Sequence, residues 1–307
     1  MRNISFLSKK FQAKRHAVSA LLCFFLLAAS VYAQNLTIKE VWSLRVTGVP
    51  ENCSWSALSV SVRGDVFILS TNPGYVVQLN DHGSFVNSVG GFGFAPSLFD
   101  HPQDLFAKDG LSVYVADTQN QRIQRFASKL EFVSALGDPL VQRSPSPEIK
   151  LPLSVGVSGQ SDLFYIDGEK LEVVKMNRLN QVTSRFGGFS DGSGALKNPF
   201  RLCVDKRGIF VADGSAVLQF DYFGNFVRAI TSSAVKTVSD VAVGSDGYVY
   251  ITDKDSKCIH LFDGKGVWRS AFTGFAFENP VSIDIRQKTV YVLDSVLESI
   301  IILSIEP

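Results

Sequence analysis

Residues 239–272 read SDVAVGSDGYVYITDKDSKCIHLFDGKGVWRSAF, and this stretch decides the fold. It holds four short apolar or β-branched runs: Ser239 to Val243, Tyr248 to Thr252, Cys258 to Phe262 and Val267 to Phe272. Gly244-Ser245-Asp246-Gly247 joins the first two and Asp263-Gly264-Lys265-Gly266 joins the last two. Glycine accepts the positive φ that tight hairpin turns require, so the stretch predicts four antiparallel strands in succession. The runs are almost continuously apolar rather than alternating, which implies a sheet covered on both faces.

The second run of this unit recurs along the chain. Its counterparts are Val66-Phe67-Ile68-Leu69-Ser70, Val113-Tyr114-Val115-Ala116-Asp117, Leu163-Phe164-Tyr165-Ile166-Asp167, Gly208-Ile209-Phe210-Val211-Ala212-Asp213 and Val290-Tyr291-Val292-Leu293-Asp294. With Asp253 included, successive run ends lie 47, 50, 46, 40 and 41 residues apart. A period in the forties built from strands reads as a β-propeller rather than a helical solenoid. The last unit supplies three strands, Val281 to Ile285, Thr289 to Leu293 and Ser299 to Ile305, while Thr37 to Val46 is a spare run at the other end. Pairing the spare run as the outer strand of the last sheet closes the ring and covers an edge. The expected fold is all-β: residues 34–307 as a six-bladed β-propeller of four-stranded antiparallel blades, the last blade closed by the N-terminal strand.

The segment Asp117-Thr118-Gln119-Asn120-Gln121-Arg122-Ile123-Gln124-Arg125-Phe126, preceded by Val113 to Ala116 and by His101-Pro102, resembles the NHL repeat. Pro102, Pro152, Pro199 and Pro280, with connectors such as Arg185-Phe186-Gly187-Gly188-Phe189, extend the likeness over nearly the whole chain beyond residue 33. The other units depart from the pattern. The first run ends in Ser70, the fifth unit begins at Val238 instead of proline, and Asn-x-Arg-Ile occurs in the second unit alone. The resemblance implies a binding or protein-interaction module. It also implies the alternative of a lyase or lactone hydrolase working at the channel mouth with a divalent metal, for which Asp104, Asp240 and His101 are the candidates.

The first 33 residues carry Arg2, Lys9, Lys10, Lys14 and Arg15 and no acidic residue, followed by the apolar stretch Ala17 to Leu27 and by Ser30-Val31-Tyr32-Ala33. This is the pattern of a secretory signal peptide, residues 1–33, cleaved after Ala33. Its apolar stretch falls short of the roughly 20 residues that a membrane-spanning helix needs. Export to a periplasm or the extracellular space follows as the expectation, with no stable membrane span after cleavage. Of the chain's 30 basic and 29 acidic residues, 25 and 29 remain, a balance of −4. That balance argues against a nucleic-acid partner. Cys53, Cys203 and Cys258 are three in number and lack metal-ligand spacing, so they do not build the fold. A monomer without cofactor or bound metal is expected.

Candidate functional residues come from aligning the inner strands. The residue 12 or 13 positions before each repeated run end is Ala57, Asp104, Ser154, Arg201, Asp240 or Ser282. In a ring these approach one another around the axis, bringing two carboxylates, one guanidinium and two hydroxyls to one mouth. With His101 they form the predicted ligand-binding set: His101, Asp104, Ser154, Arg201, Asp240 and Ser282. Two readings stay open, a small polar ligand at the mouth and a structural salt bridge between Arg201 and an aspartate. The repeated Asp117, Asp167, Asp213, Asp253 and Asp294 are expected to accept backbone amides at turns rather than to bind metal. Gly188-Phe189-Ser190-Asp191-Gly192 matches the hydrolase formula Gly-x-Ser-x-Gly, but it sits in a connector and not at a strand-to-helix elbow. His82, His101 and His260 have no zinc-site spacing. Phe92, Phe94, Phe99, Phe275 and Phe277 lie in glycine-rich connectors and would form an apolar patch for a protein or peptide partner if exposed together.

Overall fold

The apolar runs form strands because β-branched and aromatic side chains fill a pleated surface that has neighbours on both faces. Every residue of Val66–Ser70, Leu163–Asp167 and Val249–Asp253 is buried. The computed structural model describes residues 35–44, 50–137 and 148–306, so the leader expected at residues 1–33 lies outside them. The described residues form six four-stranded sheets, and in each of the first five the strands pair in chain order. The fifth blade is Val238–Val243, Val249–Asp253, Cys258–Phe262 and Trp268–Phe272, within a residue of the ends predicted above. Among the described residues the helical content is one 3₁₀ turn, Gly192–Gly194. This is a six-bladed antiparallel β-propeller, and Leu36–Ile305 make one compact unit.

Apolar side chains of adjacent blades interlock. Phe210, Val217 and Ile230 of blade four share a core cluster with Val241, Ile251 and Phe262 of blade five. The repeat phenylalanines Phe126, Phe186, Phe220 and Phe262 are all buried.

The sixth sheet has the order Asn35–Ser43, Ser299–Glu306, Thr289–Asp294, Pro280–Arg286, so a strand from the start of the described chain completes it. The strand begins and ends earlier than the predicted Thr37 to Val46; Leu44 follows it, and residues 45–49 are outside the description. The Leu44 amide donates to the Glu298 carbonyl at 2.8 Å. Trp42 packs edge-on to Tyr291 at 6.3 Å and joins Ile300, Ile302 and blade-one residues Ile68 and Leu79 in one core cluster. Gly83, with φ +75°, makes room for it: a Cβ there would stand 2.6 Å from the Trp42 ring.

The repeated aspartates hold turns in blades two to six. Asp253 accepts the amides of Lys236 at 2.7 Å and Ser256 at 3.0 Å, and Asp294 accepts those of Glu278 at 2.8 Å and Leu297 at 3.1 Å. Each therefore ties the loop approaching the inner strand to the turn that follows the second strand. In blade two the brace is larger. Asp117 Oδ2 accepts Arg122 Nε at 2.8 Å, Asn120 Nδ2 at 2.9 Å and Gln124 Nε2 at 2.9 Å. The Arg122 guanidinium also donates to the carbonyls of Phe94 at 2.8 Å, Ala95 at 3.0 Å and Leu98 at 2.9 Å.

Candidate functional site

An inner strand is paired on one side only, so its outward amides need acceptors from the next blade. The aligned residues provide them. Asp104 Oδ2 accepts both the Ser154 hydroxyl and the Val155 amide, the latter at 3.3 Å. Ser154 Oγ in turn accepts the Leu202 amide at 3.0 Å. Asp240 Oδ2 accepts the Ser282 hydroxyl at 2.6 Å and the Ile283 amide at 3.0 Å, and Ser282 Oγ accepts the Leu58 amide at 3.1 Å. Blade is stitched to blade by side chain to backbone bonds, and all five polar residues are buried.

Arg201 spans this belt. Its Nη2 donates at 2.9 Å to the carbonyl of Ser56 in blade one, on the opposite side of the ring, while Nε lies 3.8 Å from Asp104 Oδ1. Nε has no hydrogen-bond partner among the described residues. Burial pushes the Asp104 and Asp240 carboxyls up, Asp240 to about 6, and the Arg201 charge offsets part of that rise. The structure thus brings Asp104, Ser154, Arg201, Asp240 and Ser282 together in one belt. Ala57 is buried and adds no polar group, and exposed His101 pairs its Nδ1 with Asp100 at 2.6 Å and lines neither axial cavity.

One residue deeper, Leu58, Leu105, Val155, Leu202, Val241 and Ile283 contribute one aliphatic side chain per blade around a cavity of about 40 Å³. That space has room for no more than a few water molecules. Asp284 and Lys108, paired at 2.7 Å, and Cys203 also line it. Burial raises the Cys203 thiol to about 11, so it is not a ready nucleophile.

The larger space opens on the other side of the belt. It measures about 350 Å³, and Ser56, Gln103, Leu153, Phe200, Ser239 and Val281 line it, one from each blade. Arg201 reaches it, as do Trp55, Lys254, Asn279 and Ser295. These six residues each precede by one position the residues picked out by alignment. In five blades the ladder slips one residue at this point, as between Trp55 and Ala57 or Val238 and Asp240. A β-bulge re-aims a side chain, here turning the preceding residue toward the mouth and leaving the next one in the belt. The sequence signal for it is weak, because these positions share no residue type.

No protein-family model matches the sequence, and a search of curated proteins finds no match. Solved structures do match. Virginiamycin B lyase from Staphylococcus aureus, a catalytically inactive histidine-to-alanine variant with quinupristin, superposes with a TM-score of 0.61 at 10% identity, covering 83% of this chain and 82% of that one. A streptogramin B lyase gives 0.60 at 10% identity, covering 89% and 98%. A Bacteroides thetaiotaomicron protein of unknown function gives 0.63 at 16% identity, covering 89% and 76%. At these identities the shared property is the propeller fold.

Other chemistry-bearing residues are committed elsewhere. His260 Nε2 faces both Asp253 Oδ2 at 3.3 Å and Cys258 Sγ at 3.5 Å, while Trp268 Nε1 donates to Nδ1 at 3.3 Å. A catalytic dyad uses the two ring nitrogens for different partners; here the indole occupies one and both acidic groups meet the other. Burial holds His260 below the usual histidine range, so the ring is neutral and structural. Ser190 lies in an exposed connector leading to the 3₁₀ turn, and Asp213 binds the amide of Lys197 at 3.0 Å. Among the described residues no group of three or more His, Cys, Asp or Glu is placed to hold a metal ion. The connector phenylalanines do not form one patch: Phe92 and Phe94 are exposed, whereas Phe99 and Phe277 are core. Cys53, Cys203 and Cys258 are free thiols.

Proposed function

We propose that this chain is an exported, monomeric propeller of the NHL type that works as a binding module, taking a small ligand or the end of a partner peptide in the mouth. The observation that carries this reading is the division of labour between adjacent positions. The belt carboxylates and hydroxyls are spent on holding inner strands together, while the residues one step earlier line a preformed cup. A rigid concave site with a few polar groups on apolar walls is the form small-molecule sites take. The leader-like residues 1–33 support export, and N-terminal sequencing of the exported protein tests it by finding Gln34 first.

A second reading, a lyase or lactone hydrolase using a divalent metal, draws support from the fold shared with streptogramin B lyase and from Asp240, whose carboxyl titrates near 6. Of its expected residues, Asp104 and Asp240 stand in the belt, whereas His101 pairs with Asp100 outside both axial cavities. Fragment screening by NMR separates the two. The binding-module reading expects ligands that shift the Trp55, Gln103 and Ser239 resonances and are recovered chemically unchanged with and without divalent metal. Turnover that depends on Asp240 favours the enzyme, and a screen with no ligand at the mouth overturns both.

A further inference from the structure

Resting on the binding-module reading, the geometry points to a ligand class: we infer that the mouth takes a small carboxylic acid with an apolar body. Its carboxylate sits between Lys254 and Arg201, and its hydrocarbon part lies against Trp55, Leu153, Phe200 and Val281.

The charge asymmetry of the lining comes first. Among the described residues two cations, Arg201 and Lys254, line the cup and no aspartate or glutamate does. Lys254 is exposed and has no ion-pair partner among the described residues. Arg201 is 8% exposed, and among the described residues neither its Nε, 3.8 Å from Asp104 Oδ1, nor the buried hydroxyl of Ser239 has a hydrogen-bond partner. A buried donor left unpaired costs free energy that an arriving acceptor restores. Asp104 and Asp240, one residue deeper, offset part of the Arg201 charge, Asp104 Oδ1 standing 3.8 Å from its Nε, whereas Lys254 has no such counter-charge among the described residues. Planar oxyanion acceptors suit a guanidinium, and a carboxylate is the singly charged one that matches two cations shared with Asp104 and Asp240.

The walls set the rest of the ligand. An indole, a phenyl ring and two aliphatic side chains present apolar surface in a space of about 350 Å³, at the small end of the ~300–1,000 Å³ typical of ligand sites. A free arylalkanoic acid and the C-terminus of a peptide ending in an apolar residue share this chemistry.

Isothermal titration of the purified chain with 3-phenylpropanoate and its primary amide, and with a tetrapeptide ending in phenylalanine as free acid and as C-terminal amide, tests the proposal. At least one acid binds one to one, roughly tenfold or more tighter than its own amide, and which acid does so identifies the source. Lys254→Gln, a surface change that leaves the melting temperature unmoved, weakens the acid roughly three- to tenfold, and Lys265→Gln does not. Ser239→Ala weakens it as well, without touching the belt. Equal affinity for acid and amide, or an unchanged affinity in Lys254→Gln, overturns the carboxylate assignment. In either case the binding-module reading is judged by the fragment screen, which reads the mouth resonances directly. If neither acid binds at millimolar concentration the assignment falls too, and the fragment screen decides separately whether the mouth binds anything.

Discussion

Arg122 shows what a motif residue does in this protein. Its side chain is 3% exposed, it pairs with the fully buried Asp117, and it gathers the carbonyls of the 94–98 connector. Arg122→Ala would strand Asp117 without its counter-charge, and breaking a buried pair from one side costs about 3–5 kcal/mol. Urea unfolding is expected to show that loss, with Lys129→Ala as an exposed control within about 0.5 kcal/mol of the parent. The other residue-scale prediction concerns Asp240. Its carboxyl is raised from 3.8 to about 6, so between these values the native state binds more protons than the unfolded chain. By linkage, this group's contribution to stability falls as pH rises through that window. His260 is held neutral and gives the opposite slope, but equally in parent and variant, so the comparison isolates Asp240. Relative to the parent, Asp240→Asn is expected to gain stability from pH 4 to 6.5, by at most about 3 kcal/mol. A pH-independent difference in denaturation midpoint would refute the assignment.

At the scale of elements, the closing strand and the bulges matter most. Trp42 fills the space that Gly83 leaves open, with the strand Asn35–Ser43 on one side and the blade-one turn on the other. Trp42→Ala removes a large buried side chain and is expected to cost about 3–5 kcal/mol. Gly83→Ala forces the same ring to move, so its penalty is expected to shrink in the Trp42→Ala background; a double-mutant cycle in guanidinium reads this directly. Additive penalties would show that the two do not share one contact. The bulges explain why strand identity was readable and side-chain direction was not. Proline and hydrophobic runs place Pro199–Asp205 as a strand, but that Phe200 joins Arg201 at the cup depends on a one-residue slip against Ala212 and Asp213.

For the whole molecule, closure makes the ring one cooperative object. Adjacent sheets share core clusters all the way round, and the sixth blade is complete only with the strand from the chain's other end. Removing residues up to Ser43 exposes the edge of Ser299–Glu306 and uncovers Ile300 and Ile302. The truncated chain is expected to lose its single sharp thermal transition and to aggregate, since a bare apolar edge strand templates pairing with other copies. Differential scanning calorimetry with light scattering checks this, and a truncated chain that melts sharply as a monomer would contradict it.

The sequence by itself determined the number of sheets, their antiparallel order and the closing strand, because these follow from local properties: run length, glycine at positive-φ turns and a period near 45 residues. It also brought Asp104, Ser154, Arg201, Asp240 and Ser282 to one level, since a repeat places equivalent positions at equal depth. Tertiary structure alone decided what those residues do. Whether a carboxylate faces a ligand or a neighbour's amide is settled by the bulge that turns the chain and by the adjacent blade. Asp104, Ser154, Asp240 and Ser282 bond to neighbouring inner strands, and Ser56, Gln103, Leu153, Phe200, Ser239 and Val281, which no pattern of residue types marks, line the cup with Arg201. His101 left the set for the same reason: its exposed loop pairs it with Asp100 at 2.6 Å, a local contact that alignment by depth cannot register.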